Sequence, residues 1–174
     1  YQKIDSKLFI KNRKNFLSRM KPNSIAFFNS NDIYPVSADS TLPFEQHRDI
    51  FYLSGVDQEE SVLMLCPNCS DQNLREVLFL KETDDHIAVW EGPKLNKKQA
   101  FETSGIKSVF WLDEMGKIID KVMNECETIY FNHNEHYRAK IEMETREERF
   151  NKWLEGKYPN KLKERSNPIL QHFR

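Results

Sequence analysis

Two cysteines stand at the spacing of a redox or zinc motif. Cys66 and Cys69 are separated by two residues in a CxxC pattern. In redox proteins such a pair lies at a helix start, where the helix dipole lowers a thiol pKa. As half of a zinc site the pair needs two more ligands. His133 and His136 could supply them, but they lie more than sixty residues away. The loop-like composition after Cys69 predicts a surface turn, and a standalone thiol or zinc protein is the alternative.

Other patterns for catalysis are missing from the sequence. It contains no GxSxG nucleophile motif and no HExxH zinc motif, and its 5 glycines form no phosphate-binding loop. Carboxylates are dense near residue 145, at Glu142, Glu144, Glu147 and Glu148, but Arg146 and Arg149 lie among them. This mixture predicts the solvated face of a charged helix. The sequence therefore supports no catalytic residue and no metal ligand.

Charge and hydropathy restrict the class of partner. The chain has 26 basic and 27 acidic residues, for a net charge of -1, so it exerts no general attraction on nucleic acid or anionic membranes. The segment before Pro22 is basic but lacks a motif that reads nucleic acid. No apolar run approaches the length of a membrane span. We expect neither a nucleic acid nor a membrane as partner.

Length and cysteine content indicate one domain from a reducing compartment. The 174 residues, 39% apolar and 30% charged, fit a single globular domain. The first residues do not read as a signal peptide. Three cysteines, an odd number, argue against a disulfide framework. We therefore expect a cytoplasmic protein.

Hydrophobic patterning predicts alternating helices and strands. A first helix is expected over residues 1–20, with Ile4 and Leu8 on its apolar face and Arg13 among the charged residues that cover the rest. Further helices are predicted at 95–104, 113–126 and 135–154, and strands at 25–28, 51–53, 61–65, 76–80, 87–90 and 128–131. The strands at 76–80 and 87–90 are expected to form a hairpin. This alternation predicts an α/β domain with a mixed sheet and helices on its faces.

Trp90 ends the last strand of that predicted hairpin. Glu91, Gly92 and Pro93 follow it, and a turn fixed by glycine and proline would project the indole from the end of the sheet. Packing in the core is the ordinary role of a buried tryptophan. Contact with a ligand or a second domain is the alternative.

Residues 37–55 resemble the signature of the amino-terminal domain of aminopeptidase P, the Xaa-Pro aminopeptidase branch of the creatinase/prolidase family. The family pattern has a glutamine, then an aspartate, aromatic residues, a leucine and a glycine. This sequence matches it at Gln46, Asp49, Phe51, Tyr52, Leu53 and Gly55. Trp90 and Gly92 match the family's W-x-G element, while Lys94 stands where an arginine is frequent. The resemblance extends over nearly the whole chain.

The resemblance implies a ribonuclease-H-like α/β fold, a mixed sheet flanked by helices, over residues 1–165. Residues 166–174 would begin the linker to a catalytic domain. In the family that second domain holds two divalent metal ions, often manganese, and a metal-bridging hydroxide attacks the peptide bond before proline. The resemblance also implies that the amino-terminal domain is non-catalytic, shapes the substrate cleft and supports oligomerisation. We accordingly expect no cofactor in this chain, and we expect Trp90, Asp39 and Tyr52 to face the cleft or the partner domain.

A binding module is the alternative function. Some relatives of the catalytic domain have lost catalysis, and the amino-terminal domain of a histone-chaperone subunit shares the fold. Such a module would bind basic peptides and should offer an acidic patch, which the balanced charge does not indicate. Prolidase and creatinase are closer enzymatic alternatives.

Overall fold

A six-stranded mixed sheet lies at the centre of the computed structural model, which describes residues 4–84, 86, 88–89, 92–136 and 143–173. Its strands are β1 (Ser24–Asn29), β4 (Ser61–Leu65), β5 (Glu76–Leu80), β6 (Ser108–Trp111), β7 (Thr128–Phe131) and β8 (Leu162–Arg165). They lie in the order β6-β5-β4-β1-β7-β8. A second, two-stranded sheet consists of β2 (Pro35–Ser37) and β3 (Ser40–Thr41).

The pairing of the strands is both antiparallel and parallel. Strand β4 pairs antiparallel with β1 and with β5, whereas β1 with β7, β7 with β8, and β5 with β6 are parallel. Parallel neighbours need long crossover connections, and helices supply them between β5 and β6 and between β7 and β8. The expected α/β class with a mixed sheet and flanking helices is confirmed.

Six α-helices flank the sheet within residues 4–84, 92–136 and 143–173. They are α1 (Ser6–Leu17), α2 (Arg48–Ser54), α3 (Lys97–Ser104), α4 (Met115–Met123), α5 (Arg146–Lys157) and α6 (Asn167–Phe173). Local sequence sets several of their ends. Asn96 and Gln99 form a capping box at the start of α3, which ends at Gly105 in the left-handed conformation, with φ of 73°. Thr145 and Glu148 form a second capping box, at the start of α5.

Both faces of the central strands β1, β4, β5 and β7 are buried, which explains why these strands read as nearly continuous apolar runs. The buried side chains form two hydrophobic clusters, one on each face of the sheet. Alternate residues of β1 contribute to them: Ala26 and Phe28 belong to the first cluster, and Ile25 and Phe27 belong to the second. The first cluster lies under helices α1, α2, α3 and α6, and the second lies under α4 and α5. The chain therefore has a continuous core on each side of one sheet.

Helix α1 differs from its predicted orientation in a way that matters for stability. Ile4 and Leu8, expected on the apolar face, are exposed, whereas Arg13, expected on the outside, is 0% exposed. Phe16, Leu17 and Met20, predicted on the same apolar face, do pack against the core. The prediction was wrong for Ile4, Leu8 and Arg13, and Arg13 can be buried because polar partners surround its guanidinium. Its guanidinium donates to Leu53 O at 2.8 Å and to Ser104 O at 2.9 Å.

These two carbonyls lie at the carboxyl ends of α2 and α3, where the helix dipole favours a cation. A third partner is the Glu76 carboxylate, 2.8 Å from Arg13 Nε. Burial lowers the pKa of Arg13, and the charge of Glu76 acts in the opposite direction. One side chain therefore joins α1 to two other helices and to strand β5.

Several predicted elements have a different structure. Residues 51–53, predicted as a strand, lie inside α2. In the predicted strand 87–90, Ala88 and Val89 are helical, while residues 87 and 90 lie outside the described part. The predicted helix 135–154 begins instead at Arg146, after its Thr145 cap; residues 137–142 are also outside the described part.

The last part of the chain adds two elements that the sequence did not predict. Residues 162–165 form β8, and α6 occupies most of the segment expected to be a linker. Ile169 and Leu170 of α6 are buried in the core cluster beneath α1 and α2. Among the described residues, no helix is long and apolar enough to cross a membrane.

Candidate functional site

The three residues predicted to face a cleft or a partner domain fall in different places. Asp39 is exposed in the turn between β2 and β3. Tyr52 is half-buried in α2, where its hydroxyl donates to Phe173 O of α6 at 3.3 Å. Trp90 lies outside the described residues. The cleft-facing role of all three therefore stays a prediction.

The glutamine of the signature fixes the chain that follows α2. Gln46 Nε2 donates to Val56 O at 3.1 Å and to Gln58 O at 2.9 Å, and Gln46 Oε1 accepts from His47 N at 2.8 Å. The same Nε2 lies 3.4 Å from Ser61 Oγ. A single amide thus holds residues 56–61 in one conformation ahead of strand β4.

That held segment in turn anchors the chain directly after the W-x-G element. Gln58, 5% exposed, accepts from Leu95 N at 2.7 Å through its Oε1. Glu59 pairs with Lys94, whose side chain is 4% exposed. A lysine therefore makes a buried ion pair at the position where the family often has arginine. The contacts fix residues 94–95, four and five positions after Trp90.

An open cavity of about 290 Å³ lies between these two segments. Asp57, Gln58 and Glu59 line one side, and Pro93 and Lys94 line the other. Gln58 Nε2 is buried and has no hydrogen-bond partner among the residues that the structure describes. A polar recess thus adjoins residues 93–95, which follow the W-x-G element in the sequence.

The glycine of the signature allows α1 to approach α2 closely. Gly55 ends α2 with φ of +70°, a conformation that side chains rarely adopt. A Cβ at this position would lie 2.2 Å from Phe9 Cε2, and Phe9 is buried. The signature requires glycine here for both reasons.

The aspartate of the signature belongs to a buried polar group near the ends of β1 and β7. Asp49 Oδ2 accepts from Asn132 Nδ2 at 2.7 Å and lies 3.8 Å from His47 Nδ1. Asn29 donates to Glu147 from its backbone nitrogen at 3.1 Å and from Nδ2 at 3.3 Å. These contacts tie α2 and α5 to the two central parallel strands.

Glu147 corrects the prediction that its helix carries only solvated carboxylates. It is buried against β1, and burial raises its pKa to about 8, while the hydrogen bonds from Asn29 act in the opposite direction. The charge of Asp49 raises this pKa further. No sequence pattern marked Glu147, because Glu148 beside it is an exposed capping residue with the same side chain.

A family model for the amino-terminal domain of aminopeptidase P matches residues 9–130. The chain belongs to this family. The match includes every signature residue whose contacts are described above, so Gln46, Asp49 and Gly55 can be read as the positions that shape this domain.

The sequence relatives of the chain are Xaa-Pro aminopeptidases, which is consistent with this family. The chain is 26% identical over 138 residues to Xaa-Pro aminopeptidase of Escherichia coli, covering 79% of this chain and 31% of that protein. Rat Xaa-Pro aminopeptidase 3 is 26% identical over 149 residues, covering 83% of this chain and 28% of the relative. The chain thus spans about a third of the length of these relatives.

The folds are similar at lower sequence identity. A proposed aminopeptidase P from Bacillus anthracis superposes with a TM-score of 0.84 at 23% identity, over 98% of this chain and 40% of that one. The low-pH form of Escherichia coli aminopeptidase P gives a TM-score of 0.76 at 21% identity, over 99% and 39%. These superpositions establish the aminopeptidase P amino-terminal fold.

The described part of this aminopeptidase P domain offers no site for a metal ion. Within residues 4–136 and 143–173, apart from the gaps around 85–91, no three His, Cys, Asp or Glu side chains are grouped suitably. Cys66 and Cys69 form a turn after β4 rather than the start of a helix. His133 and His136 lie in the irregular chain after β7. The zinc and redox readings of the CxxC motif therefore lack the geometry they require.

Proposed function

We propose that this chain is the non-catalytic amino-terminal domain of an Xaa-Pro metalloaminopeptidase. The parent enzyme would remove the residue that precedes proline at a peptide's amino terminus. The observation that carries this proposal is the family match over residues 9–130 in a chain that spans about a third of its relatives. Two divalent metal ions, which we expect to be manganese, would belong to the catalytic domain.

The proposed role of this domain is to form one wall of the substrate cleft and to support a homo-oligomer. An enzyme that removes one terminal residue needs a cleft closed on one side, which excludes folded chains. A second domain can provide that wall without contacting the metal ions. Its partners would be its own catalytic domain, further copies of the chain, and peptides with proline in second position.

Trp90 is the residue we assign to that wall. The hydrogen bonds from Gln46 to Gln58 and from Leu95 to Gln58 support this assignment, because they hold the chain on the carboxyl side of Trp90 in a fixed place. An indole at the edge of the cleft could stack on apolar substrate side chains. Asp39 on the exposed hairpin and Tyr52 beside α6 are the further residues proposed to face the cleft or the catalytic domain.

The same proposal includes a cytoplasmic location and no nucleic-acid or membrane partner. Three free cysteines and a net charge of -1 support it. The alternative, a peptide- or histone-binding module of an inactive relative, requires a full-length protein that lacks the two metal ions and the cleavage activity.

The test replaces Trp90 with alanine in the full-length enzyme. For long Xaa-Pro peptides we expect kcat/KM to fall about tenfold, corresponding to about 1.4 kcal/mol of transition-state binding, with unchanged metal content. The half-exposed Trp153 on α5 provides the matched control, Trp153→Ala, which should leave kcat/KM unchanged. If the wild type and Trp90→Ala had equal kcat/KM for long Xaa-Pro peptides, Trp90 would not be part of the cleft wall. Cleavage of Xaa-Pro peptides by the isolated chain with manganese would refute the non-catalytic reading.

A further inference from the structure

Cys66 and Cys69, which are close in sequence, lie in the same buried core cluster as the distant Cys126, beneath α4. Cys66 directly follows β4, Cys69 lies in the turn after it, and Cys126 follows α4. Each is 1% exposed. The Sγ atoms of Cys66 and Cys126 are 3.4 Å apart, in direct contact, although the residues are 60 positions apart. The sulfur partner of Cys66 is thus Cys126 and not the CxxC neighbour that the sequence indicated.

The two thiols in contact differ in their tendency to ionise. Cys126 Sγ lies 3.5 Å from Val122 O, to which its thiol donates, so the Cys66 thiol can donate to Cys126 Sγ. This hydrogen bond lowers the pKa of Cys126, and the charge of Lys161 acts in the same direction against burial. The same contact and burial raise the pKa of Cys66. Cys126 is therefore the better nucleophile and Cys66 the neutral donor beside it.

The pair lies just beneath two surface turns that are tied together. Ser70 donates to the Glu125 carboxylate from its backbone nitrogen and from its hydroxyl, both at 2.7 Å. Ser70 and Glu125 are exposed and stand next to Cys69 and Cys126. Opening of these turns would admit a small oxidant, since exposed turns open far more easily than the core.

We propose that Cys66 and Cys126 form a reversible disulfide when the chain meets hydrogen peroxide. The Cys126 thiolate attacks one peroxide oxygen, and the O–O bond breaks to give a sulfenic acid and hydroxide, which takes up a proton. Cys66 sulfur then displaces the sulfenic oxygen, which leaves as water with the proton released by Cys66. Two thiols are oxidised by two electrons, and one peroxide is reduced to two water molecules.

The geometry favours this pair over the CxxC pair. A disulfide needs a sulfur separation of about 2.05 Å, so Cys66 and Cys126 must approach by about 1.4 Å from their present 3.4 Å. Cys69 lies in the turn after β4, where Arg75 Nε donates to Cys69 O at 2.9 Å, and its sulfur has no such contact with Cys66 among the described hydrogen bonds. Burial raises the pKa of the Cys69 thiol, which makes it a poor nucleophile.

The experiment exposes the purified chain to hydrogen peroxide, alkylates the remaining thiols, and maps the peptides without reduction. We expect a peptide pair joined through Cys66 and Cys126, a mass lower by two hydrogen atoms, one alkylated thiol at Cys69, and full reversal by dithiothreitol. A crosslink between Cys66 and Cys69, a sulfinic acid at either residue, or three alkylated thiols would overturn the proposal.

Three variants sharpen the result. Cys69→Ser should keep the crosslink, and Cys126→Ser should lose it. Ser70→Ala removes one hydrogen bond of the covering turns without changing charge, so the crosslink should form severalfold faster. Equal rates in Ser70→Ala and wild type would contradict access through these turns, and loss of the crosslink in Cys69→Ser would contradict the pairing.

Discussion

Replacing Arg13 with methionine should destabilise the chain, because this fully buried side chain joins α1 to α2, α3 and β5. Methionine keeps much of the length of the side chain but cannot donate a hydrogen bond. The change removes the donor that caps the carboxyl ends of α2 and α3, so that two buried acceptors, Leu53 O and Ser104 O, lose their hydrogen bonds to Arg13. It also leaves Glu76 without its partner at 2.8 Å, although that carboxylate is 31% exposed and can be hydrated.

The magnitude follows from these contacts. A hydrogen bond to a charged group contributes about 1.5–3 kcal/mol, so the two carbonyl bonds together account for about 3–6 kcal/mol. Methionine avoids the cost of burying a charge, which is the cause of the lowered pKa of Arg13. The net loss should therefore be about 3 kcal/mol, at the lower end of that range. For a chain of this size this corresponds to a fall in Tm of roughly 6–12 °C.

The assay is urea unfolding followed by circular dichroism, with Lys11→Met as the matched control. Lys11 lies two positions earlier on the same helix and is exposed, so its replacement should change the free energy of unfolding by less than about 0.5 kcal/mol. If Arg13→Met were as stable as Lys11→Met, the guanidinium would contribute nothing to joining the helices. Arg13→Lys should recover only part of the loss, because one ammonium cannot replace the planar fork that donates from Nη1 to both carbonyls and from Nε to Glu76.

Two further predictions concern a buried acid and a constrained glycine. The pKa of Glu147 is raised to about 8 from 4.5, so its contribution to stability is fully present below about pH 4.5 and is lost as the pH rises towards 8. Urea unfolding between about pH 5 and pH 8 should show this loss in the wild type and in Glu127→Gln, an exposed control, but not in Glu147→Gln. If the free energy of unfolding changed with pH by the same amount in all three proteins, the prediction would be refuted. Gly55→Ala should cost about 2–4 kcal/mol, against about 1 kcal/mol for Gly92→Ala, which has a φ of +80° but nothing within 4 Å of an added Cβ. Equal Tm values for the two alanine variants would show that the Phe9 ring yields freely.

Local signals explain which elements could be predicted from the sequence. The strands at 61–65 and 76–80 are short apolar runs bounded by polar turns, and both are confirmed. Gly105 marked the end of α3 through the usual glycine at a helix terminus. The signature residues predicted the family, which the match over residues 9–130 confirms.

The errors come from contacts between distant residues. Phe51, Tyr52 and Leu53 have strand-like propensity, but His47 and Gly55 cap the segment as a helix that packs on α1. Arg13 and Glu147 were placed in solvent because charged residues are usually exposed, and their buried partners lie 40 or more positions away. The Cys126 partner of Cys66 is invisible for the same reason, since a CxxC pattern describes only near neighbours.

Arg13 also bears on the order in which the chain can fold. Its three partners lie 40, 63 and 91 positions further along, so no short amino-terminal fragment contains them all. During synthesis the Arg13 guanidinium must stay hydrated until the segment around Ser104 has left the ribosome. Only then can α1 pack in its final position against the core. Helix α1 should therefore be among the last elements of this domain to gain hydrogen-exchange protection, although it precedes the others in the sequence.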